Sequence, residues 1–180
     1  MHPNAAPDFR REFVGAFPLP FSARPRHLTL MTNLRPKFWE TVPLNKMTAP
    51  EWEALCDGCG KCCLNKIEYE DTGEVEYTRV ACRLLDNETC RCSNYANRFQ
   101  YVPECIRLNP KTLTRIAYWL PASCAYKLLN QGKPLPDWHP LVTGDPDSTH
   151  TSGNSMRGQT VSEAAVDEDD WDDYIIQENL

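Results

Sequence analysis

The chain has 180 residues, a formal net charge of -6 and a mean hydropathy of -0.55. This length suits one domain with tails, and no stretch approaches the roughly 20 apolar residues that cross a bilayer. No basic stripe with interleaved aromatic residues is present, which argues against a nucleic-acid partner. Fifteen prolines and the low hydropathy predict a loop-rich protein with a modest core, which a bound metal would help to stabilise.

The first 36 residues are predicted to be a disordered N-terminal extension. Residues 9–17 contain a twin arginine followed by apolar side chains, as in some export signals. Pro18 and Pro20 interrupt the apolar run, so we do not read it as a signal peptide. An alternative is that Met31 is the true start. Because we do not recognise a signal peptide, the predicted location is the reducing cytoplasm, where thiols stay free to coordinate metal.

The first predicted elements are a short helix and a β-hairpin. Thr48 and Glu51 have the spacing of a capping box, which predicts a helix that runs to about Leu55. Apolar and polar residues alternate over 64–69 and 75–80, on either side of a turn that contains glycine. This pattern is typical of a hairpin.

A second helix and an acidic tail are predicted further along the chain. Residues 121–131 contain good helix formers, with Gly132 as the stop and Cys124 in the first two turns. Residues 145–180 hold ten of the 25 acidic residues and a single arginine, which predicts a solvated acidic tail. Together the elements predict a small, irregular, metal-stabilised α+β domain at residues 37–144, flanked by disordered tails.

The chemistry of the chain is concentrated in its cysteines. Nine cysteines are present, and four of them open the run as Cys56-Asp-Gly-Cys59-Gly-Lys-Cys62-Cys63. The two glycines allow a tight loop whose sulfurs can turn toward one point. Thiolates are strong, soft ligands for zinc, copper(I) and iron-sulfur clusters. Because adjacent side chains in extended backbone point to opposite sides, Cys62 and Cys63 are predicted to serve two different centres.

Eight of the nine cysteines are predicted metal ligands. The spacing of Cys90 and Cys92 is too short for a zinc knuckle, so only Cys92 of this pair is assigned to the main set. Cys90 and His139 are secondary candidates. Two four-cysteine sites would use the remaining eight thiols, but the spacing leaves open one centre or two. The predicted ligands are Cys56, Cys59, Cys62, Cys63, Cys82, Cys92, Cys105 and Cys124.

Large aromatic side chains flank this region. They are predicted to be core anchors that keep water from the metal region, because exposed sulfurs oxidise readily. These residues are Trp39, Trp52, Trp119, Trp138 and Tyr95. Arg98 is the one nearby arginine for which a role beside the metal is favoured over a solvated one.

A longer cysteine pattern extends the opening motif. The motif is followed by Cys82-x-Leu84, then Cys92-x-x-Tyr95-x-x-Arg98, then Cys105. With this pattern the chain resembles the YkgJ/YcgN group of bacterial cysteine-cluster proteins, and most closely its YcgN branch. The wider family has Arg-Pro where this chain has Arg98-Phe99, and a shorter step to the next cysteine. The resemblance implies zinc or iron chelation by a small intracellular domain, and it implies no established reaction.

Two other interpretations of the cysteines remain. Disulfides would require export, and the odd count would leave one thiol unpaired. A catalytic thiol would need a partner base, and only His139 lies in the cysteine-rich part of the chain. Metal binding agrees best with the spacing and with the absence of a secretory signal.

Three classes of function follow from metal binding. A zinc-stabilised module would be colourless and would bind an unidentified protein partner. A redox or electron-transfer protein would carry a brown iron-sulfur cluster. An enzyme is the weakest of the three, because no phosphate loop, dinucleotide fingerprint or hydrolase triad is visible. The ligand types alone do not distinguish zinc from iron.

Overall fold

The structure, a computed structural model, describes residues 34–177, which form short helices and small sheets. The predicted α+β fold class is confirmed. Within these residues, no helix is long and apolar enough to cross a membrane. Residues 1–33 of the predicted N-terminal extension lie outside the described residues. They include the twin arginine and Met31. The α-helices are α1 (Phe38–Thr41), α2 (Ala49–Ala54), α3 (Arg98–Tyr101), α4 (Leu113–Ile116), α5 (Ala125–Asn130), α6 (Pro140–Thr143) and α7 (Ser148–Thr151).

Short strands in the described part of the chain form a three-stranded sheet and a separate two-stranded one. β1 and β2 make the predicted antiparallel hairpin. β5 adds to β2 in parallel, and β3 pairs with β4 in antiparallel fashion. The strands are β1 (Leu64–Glu68), β2 (Val75–Ala81), β3 (Leu85–Asp86), β4 (Arg91–Cys92) and β5 (Val161–Ser162).

Helix α2 begins with the predicted capping box. The Thr48 hydroxyl accepts a hydrogen bond from the Glu51 amide at 3.4 Å, and the Glu51 carboxylate accepts one from the Thr48 amide at 2.9 Å. The Arg35 side chain donates to the same carboxylate at 2.6 and 2.7 Å. These donors, Arg35 first, hold the pKa of the buried Glu51 carboxyl well below its usual range. The first turn of α2 is therefore fixed by protein groups alone.

Helix α5 starts one residue after Cys124. A turn from Pro121 to Cys124, closed by a hydrogen bond of 3.0 Å, precedes the helix and leaves Cys124 at the N-cap with extended backbone. The prediction placed this cysteine inside the first two turns. The difference arises because the proline-initiated turn uses the residues that were predicted to be helical.

The main hydrophobic core lies among α1, α2, α4 and α5. Two half-buried cysteines, Cys62 and Cys124, pack against this cluster. A smaller second cluster lies against the hairpin and contains Leu64, Ala81, Cys90 and Met156. The buried members of the main core are Phe38, Leu55, Leu113, Leu120, Ala125, Tyr126 and Leu135.

Packed structure continues beyond the domain boundary predicted at residue 144. The Ile176 amide donates to the Tyr77 carbonyl at 2.8 Å, and the Met156 amide donates to the Cys59 carbonyl at 2.9 Å. Met156 is 4% exposed. The tail was predicted from the charge of this segment, whereas its few apolar residues and its backbone amides attach it to the sheet and to the first cysteine motif.

Candidate metal centre

The cysteine loop, residues 56–63, follows α2 directly. The Asp57 carboxylate accepts a hydrogen bond from the Cys59 amide at 3.1 Å, which folds the first half of the loop back on itself. Gly58 and Gly60 have φ angles of 74° and 78°, in the left-handed region that favours glycine. The Cys-Asp-Gly-Cys-Gly sequence thus specifies a tight loop, as predicted.

The end of the cysteine loop places two sulfurs side by side. In the extended backbone assumed from the sequence, the side chains of Cys62 and Cys63 would point in opposite directions. Instead, Lys61–Cys63 form a 3-10 turn. Successive side chains in such a turn are separated by about 120° rather than 180°. The two Sγ atoms therefore lie only 3.9 Å apart.

A cavity of about 140 Å³ lies beside the cysteine loop. Its apolar wall is formed by leucine, isoleucine and valine side chains together with Trp52 and Tyr126. An apolar wall reduces the contact of sulfurs with water and oxidants, but Cys56 remains exposed. Six of the eight predicted ligands line the cavity: Cys56, Cys62, Cys63, Cys82, Cys92 and Cys105.

Short backbone contacts bring the distant cysteines to this cavity. The Cys82 amide, at the end of the hairpin, donates to the Cys63 carbonyl at 2.9 Å. Cys92 lies in β4, opposite Leu85 of β3. Cys105 follows α3 in a turn closed by its amide, which donates to the Val102 carbonyl at 3.1 Å. Residues far apart in sequence thus meet at one place.

The thiols are close together without yet surrounding one point. All nine cysteines are free thiols. Within residues 34–177, no three His, Cys, Asp or Glu side chains already stand in positions to hold a metal ion. A metal would have to draw the sulfurs together by rotation about χ1. The donor set itself fits zinc or iron, since both accept four thiolates.

Burial keeps most of the thiols protonated in the absence of metal. It raises the pKa of Cys82 and Cys105, and it raises that of Cys124 to about 11. Cys62 differs, because a hydrogen bond from Cys63 lowers its pKa to about 7 and raises that of Cys63. Cys62 is therefore the thiol among these that ionises most readily, and a metal bound at the others would displace their protons.

Two cations lie beside the thiols. The Lys66 ammonium donates to the Cys62 carbonyl at 3.3 Å and lies 5.0 Å from the centre of the Tyr77 ring. Burial lowers the pKa of Lys66 to about 8. Arg98 lines the cavity and stacks at 3.9 Å on the Tyr95 ring. Positive charge at these positions would offset the negative charge of thiolates that held a metal ion.

The secondary candidates Cys90 and His139 lie outside the cavity lining. Cys90 is 4% exposed, within the second hydrophobic cluster. His139 is fully buried; its Nε2 lies 3.2 Å from the Leu55 carbonyl oxygen, and its Nδ1 accepts from the Leu141 amide at 3.1 Å. Since both ring nitrogens have protein partners, His139 caps helix α6 and positions the residue before Cys56.

The predicted aromatic anchors lie at several different places. Trp52 and Tyr95 line the cysteine cavity. Trp39 lines an open groove of about 770 Å³ formed with α1 and the segment after α5. Trp119 packs near the Lys66 ammonium, and Trp138 stacks on the ring of His139. Only part of the predicted aromatic cover therefore lies at the cavity.

Asp57 is a site residue that the sequence patterns missed. Its side chain is 6% exposed, and its Oδ2 atom has no hydrogen-bond partner. A buried carboxylate oxygen without a partner is costly unless a cation lies near it. The Asp-Gly pair inside the motif predicts a turn, but it gives no sign that one oxygen stays unpaired.

Known proteins share both the motif and most of the chain. Residues 55–125 match the CxxCxxCC family, whose description is "Putative zinc- or iron-chelating domain". The UPF0260 protein of Rhodobacter capsulatus is 64% identical over 149 residues, which cover 83% of this chain and 99% of that protein. The corresponding proteins of Rhizorhabdus wittichii and Cellvibrio japonicus are 61% identical over 133 residues (74% of this chain, 90% of the relative) and 56% identical over 140 residues (78% and 95%).

No solved structure matches the chain significantly. The resemblance on which the metal-binding prediction rests is confirmed at the level of the cysteine motif, because the matched segment contains the whole run from Cys56 to Cys124. The extent of identity with the Rhodobacter capsulatus protein goes well beyond that motif. The chain therefore belongs to the UPF0260 family.

Proposed function

We propose that this protein is a cytoplasmic metal-binding protein that chelates zinc or iron through its clustered cysteines. The observation that carries this proposal is the cavity lined by six free thiols from separate parts of the chain. Unbridged cysteines that converge in an apolar wall are typical of thiolate metal sites. The metal ligands are Cys56, Cys59, Cys62, Cys63, Cys82, Cys92, Cys105 and Cys124.

The charges around the thiols support this proposal independently of the motif. Lys66 and Arg98 supply positive charge beside the sulfurs, while Asp57 leaves a buried oxygen unpaired. A structural disulfide framework would need none of these groups. A bound cation would pair with the Asp57 oxygen or neutralise it at short range.

Two uses of the metal are compatible with the cavity. The apolar wall would hold an iron-sulfur cluster dry at a defined potential, as a redox or electron-transfer protein requires. A structural zinc would instead fix the fold, so that a surface such as the groove at Trp39 could bind a protein partner. We assign the chain to the YcgN branch because the likeness to that branch extends from about Phe38-Trp39 through the cysteine motif to Leu141. No nucleic-acid or membrane partner is proposed.

Anaerobic purification followed by elemental analysis and an absorption spectrum tests the proposal. A colourless protein with bound zinc supports the structural role, and a brown protein with acid-labile sulfide supports the redox role. Cys62→Ser should lower the metal content, whereas Cys90→Ala, the matched control outside the cavity, should retain it. A folded wild-type protein without metal would contradict the proposed function.

A further inference from the structure

Two arginine side chains share one aromatic ring at the edge of the cysteine cavity. The guanidinium carbon of Arg98 lies 4.4 Å from the centre of the Phe99 ring, and that of Arg107 lies 4.1 Å from the same centre. Arg98 also lies over the ring of Tyr95, at 3.9 Å. Stacking on aromatic faces holds a guanidinium group in place and leaves the N–H groups at its edge available as donors. We call Arg98, Phe99 and Arg107 the arginine stack.

The arginine stack has no carboxylate partner within the part of the chain that the structure describes. The ion pairs of residues 34–177 all involve other cations. Arg98 donates to the Tyr95 carbonyl at 2.6 Å, while Arg107 is exposed and has no acceptor among these residues. Glu104, the one acidic residue between the two arginines in sequence, is exposed and pairs with neither. Two positive charges on one ring repel each other, and an anion bound by both would relieve the repulsion.

The arginine stack lies where the cysteine cavity opens to solvent. The exposed members of the cavity lining are Glu53, Cys56 and Tyr95. Arg98 lines the cavity too, and its guanidinium group stacks on the Tyr95 ring. The Glu53 carboxylate accepts a hydrogen bond from the Tyr95 hydroxyl at 2.9 Å, so this negative charge already has a partner. A ligand that enters the cavity beside Tyr95 therefore passes the arginine stack.

The chemistry of guanidinium groups indicates what this ligand is. Arginine binds a carboxylate through two parallel N–H···O bonds, and two arginines on one ring suit a molecule with several carboxylates. Carboxylate oxygens are also ligands for zinc and iron. A metal ion held by more carboxylates than its charge requires remains an anion. Such a chelate has both the charge that the arginine stack binds and the metal that the cavity would receive.

We propose that the arginine stack is a carboxylate-binding site at the opening of the cysteine cavity, and that its ligand is a polycarboxylate chelate that delivers the metal. The delivery role rests on the proposed function, whereas the binding of carboxylates does not. With zinc the delivery is an exchange of ligands in which no electron moves. Zn–O bonds break as Zn–S bonds form, and the thiol protons pass to water or to the released carboxylates.

Isothermal titration calorimetry of the anaerobically purified full chain tests the binding site. The probe is tricarballylate, a tricarboxylate without the hydroxyl that helps citrate to chelate a metal. We expect saturable binding that weakens as salt is added. No saturable binding to the wild-type chain would overturn the proposal without any variant. Tighter binding of inorganic phosphate than of tricarballylate would overturn the assignment to carboxylates.

Variants of the stack locate the bound carboxylates. Arg107→Gln should weaken the binding of tricarballylate about tenfold or more, because a charge-assisted pair of hydrogen bonds is lost. Arg107→Lys keeps the charge without the planar fork and should restore only part of the affinity. The matched control is Arg115→Gln in α4, another exposed arginine without a described ion pair, which should bind as the wild type does. Equal weakening by both glutamine variants would overturn the site.

The rate of zinc uptake tests delivery. The full chain, freed of metal under anaerobic conditions, should take up zinc faster from anionic zinc citrate than from a cationic zinc–triamine complex at the same free zinc concentration. Arg107→Gln should slow uptake from citrate only. Equal rates from both complexes would overturn the delivery role and leave the carboxylate site intact. A chain that takes up zinc from neither complex and holds no metal as purified would instead contradict the proposed function.

Discussion

Helix α2 and the cysteine loop are consecutive in the chain but differ in how their polar groups are satisfied. In α2, the buried Glu51 carboxylate accepts hydrogen bonds from the Thr48 amide and the Arg35 side chain. In the loop, the Asp57 carboxylate keeps one buried oxygen unpaired, and every thiol is free. The comparison shows that α2 satisfies its buried carboxylate with protein groups, whereas the loop keeps a buried oxygen unpaired. From this difference we expect a bound cation to stabilise the loop more than α2.

Removal of metal should have the largest effect. Structural zinc contributes about 10–16 kcal/mol in small zinc-finger peptides, far more than a single protein contact. We expect a strong chelator to lower the midpoint of thermal unfolding, measured by circular dichroism, more than any substitution below. Amide hydrogen exchange should increase more at residues 56–63 than in α2. Restoring the metal should reverse both changes, and an unchanged melting curve after verified removal would contradict the comparison.

Glu51→Gln should have the next largest effect. The neutral amide loses the ion pair with Arg35, so the midpoint of thermal unfolding should fall while metal content stays unchanged. Because the folded protein depresses the pKa of Glu51, the stabilisation is fully present above the unfolded pKa of about 4.3 and is lost as pH falls below it. The difference in midpoint between wild type and variant should be constant from about pH 8 to pH 6.

Measurements at acidic pH provide the control for the comparison of wild type with Glu51→Gln. Below about pH 5 the wild-type carboxyl begins to protonate in the unfolded chain, so the difference between wild type and Glu51→Gln should shrink. Protonation of cysteines affects both proteins alike and cancels in the difference. A difference that grows toward low pH would show that the Arg35 contact does not stabilise the fold.

Thr48→Ala should have a smaller effect on stability. It removes the side-chain cap of α2, at a cost of about 1 kcal/mol in the free energy of unfolding. For a domain of this size the midpoint should fall by about 2–4 °C. Thr48→Ser keeps the hydroxyl and should restore most of the loss in a denaturant titration. Loss of metal from Thr48→Ala would mean that the loop and α2 are not independent.

Cys90→Ala should have the smallest effect of these changes, and it should leave the metal content unchanged. Cys90 lies in the second hydrophobic cluster, and its Sγ packs against Gly60, where an added Cβ would approach it to 3.1 Å. Its role is therefore packing on the loop. Metal analysis of the purified variant checks this, and a loss equal to that of Cys62→Ser would place Cys90 among the ligands.

Features with local causes could be predicted from the sequence. The capping box of Thr48 and Glu51 needs only residues three apart, and the hairpin needs only alternation on both sides of a turn. The cysteine motif likewise specifies its own loop, because Gly58 and Gly60 take the backbone angles that other residues avoid. Each of these elements is fixed by neighbours in the chain.

Features with distant causes could not be predicted. The Arg35 contact to Glu51 spans 16 positions, and Arg35 had been included in the predicted disordered extension. The strand β5 has two residues, too few for a periodic signal, and it pairs with β2 about 80 positions earlier. His139 was a candidate ligand by residue type, but packing placed both its nitrogens against backbone groups. Tertiary packing selects such contacts among many that the sequence permits.

The hydrogen bond from the Met156 amide to the Cys59 carbonyl has a consequence for the nascent chain. Cys59 leaves the ribosome about 100 residues before Met156, an interval of roughly 5–20 s at common rates of bacterial and eukaryotic synthesis. Throughout this interval the first motif is translated but lacks the segment that later closes over it. A metal bound by these thiols would thus have an early window for delivery, before release, in which the sulfurs are most open to a metal donor and also to oxidants.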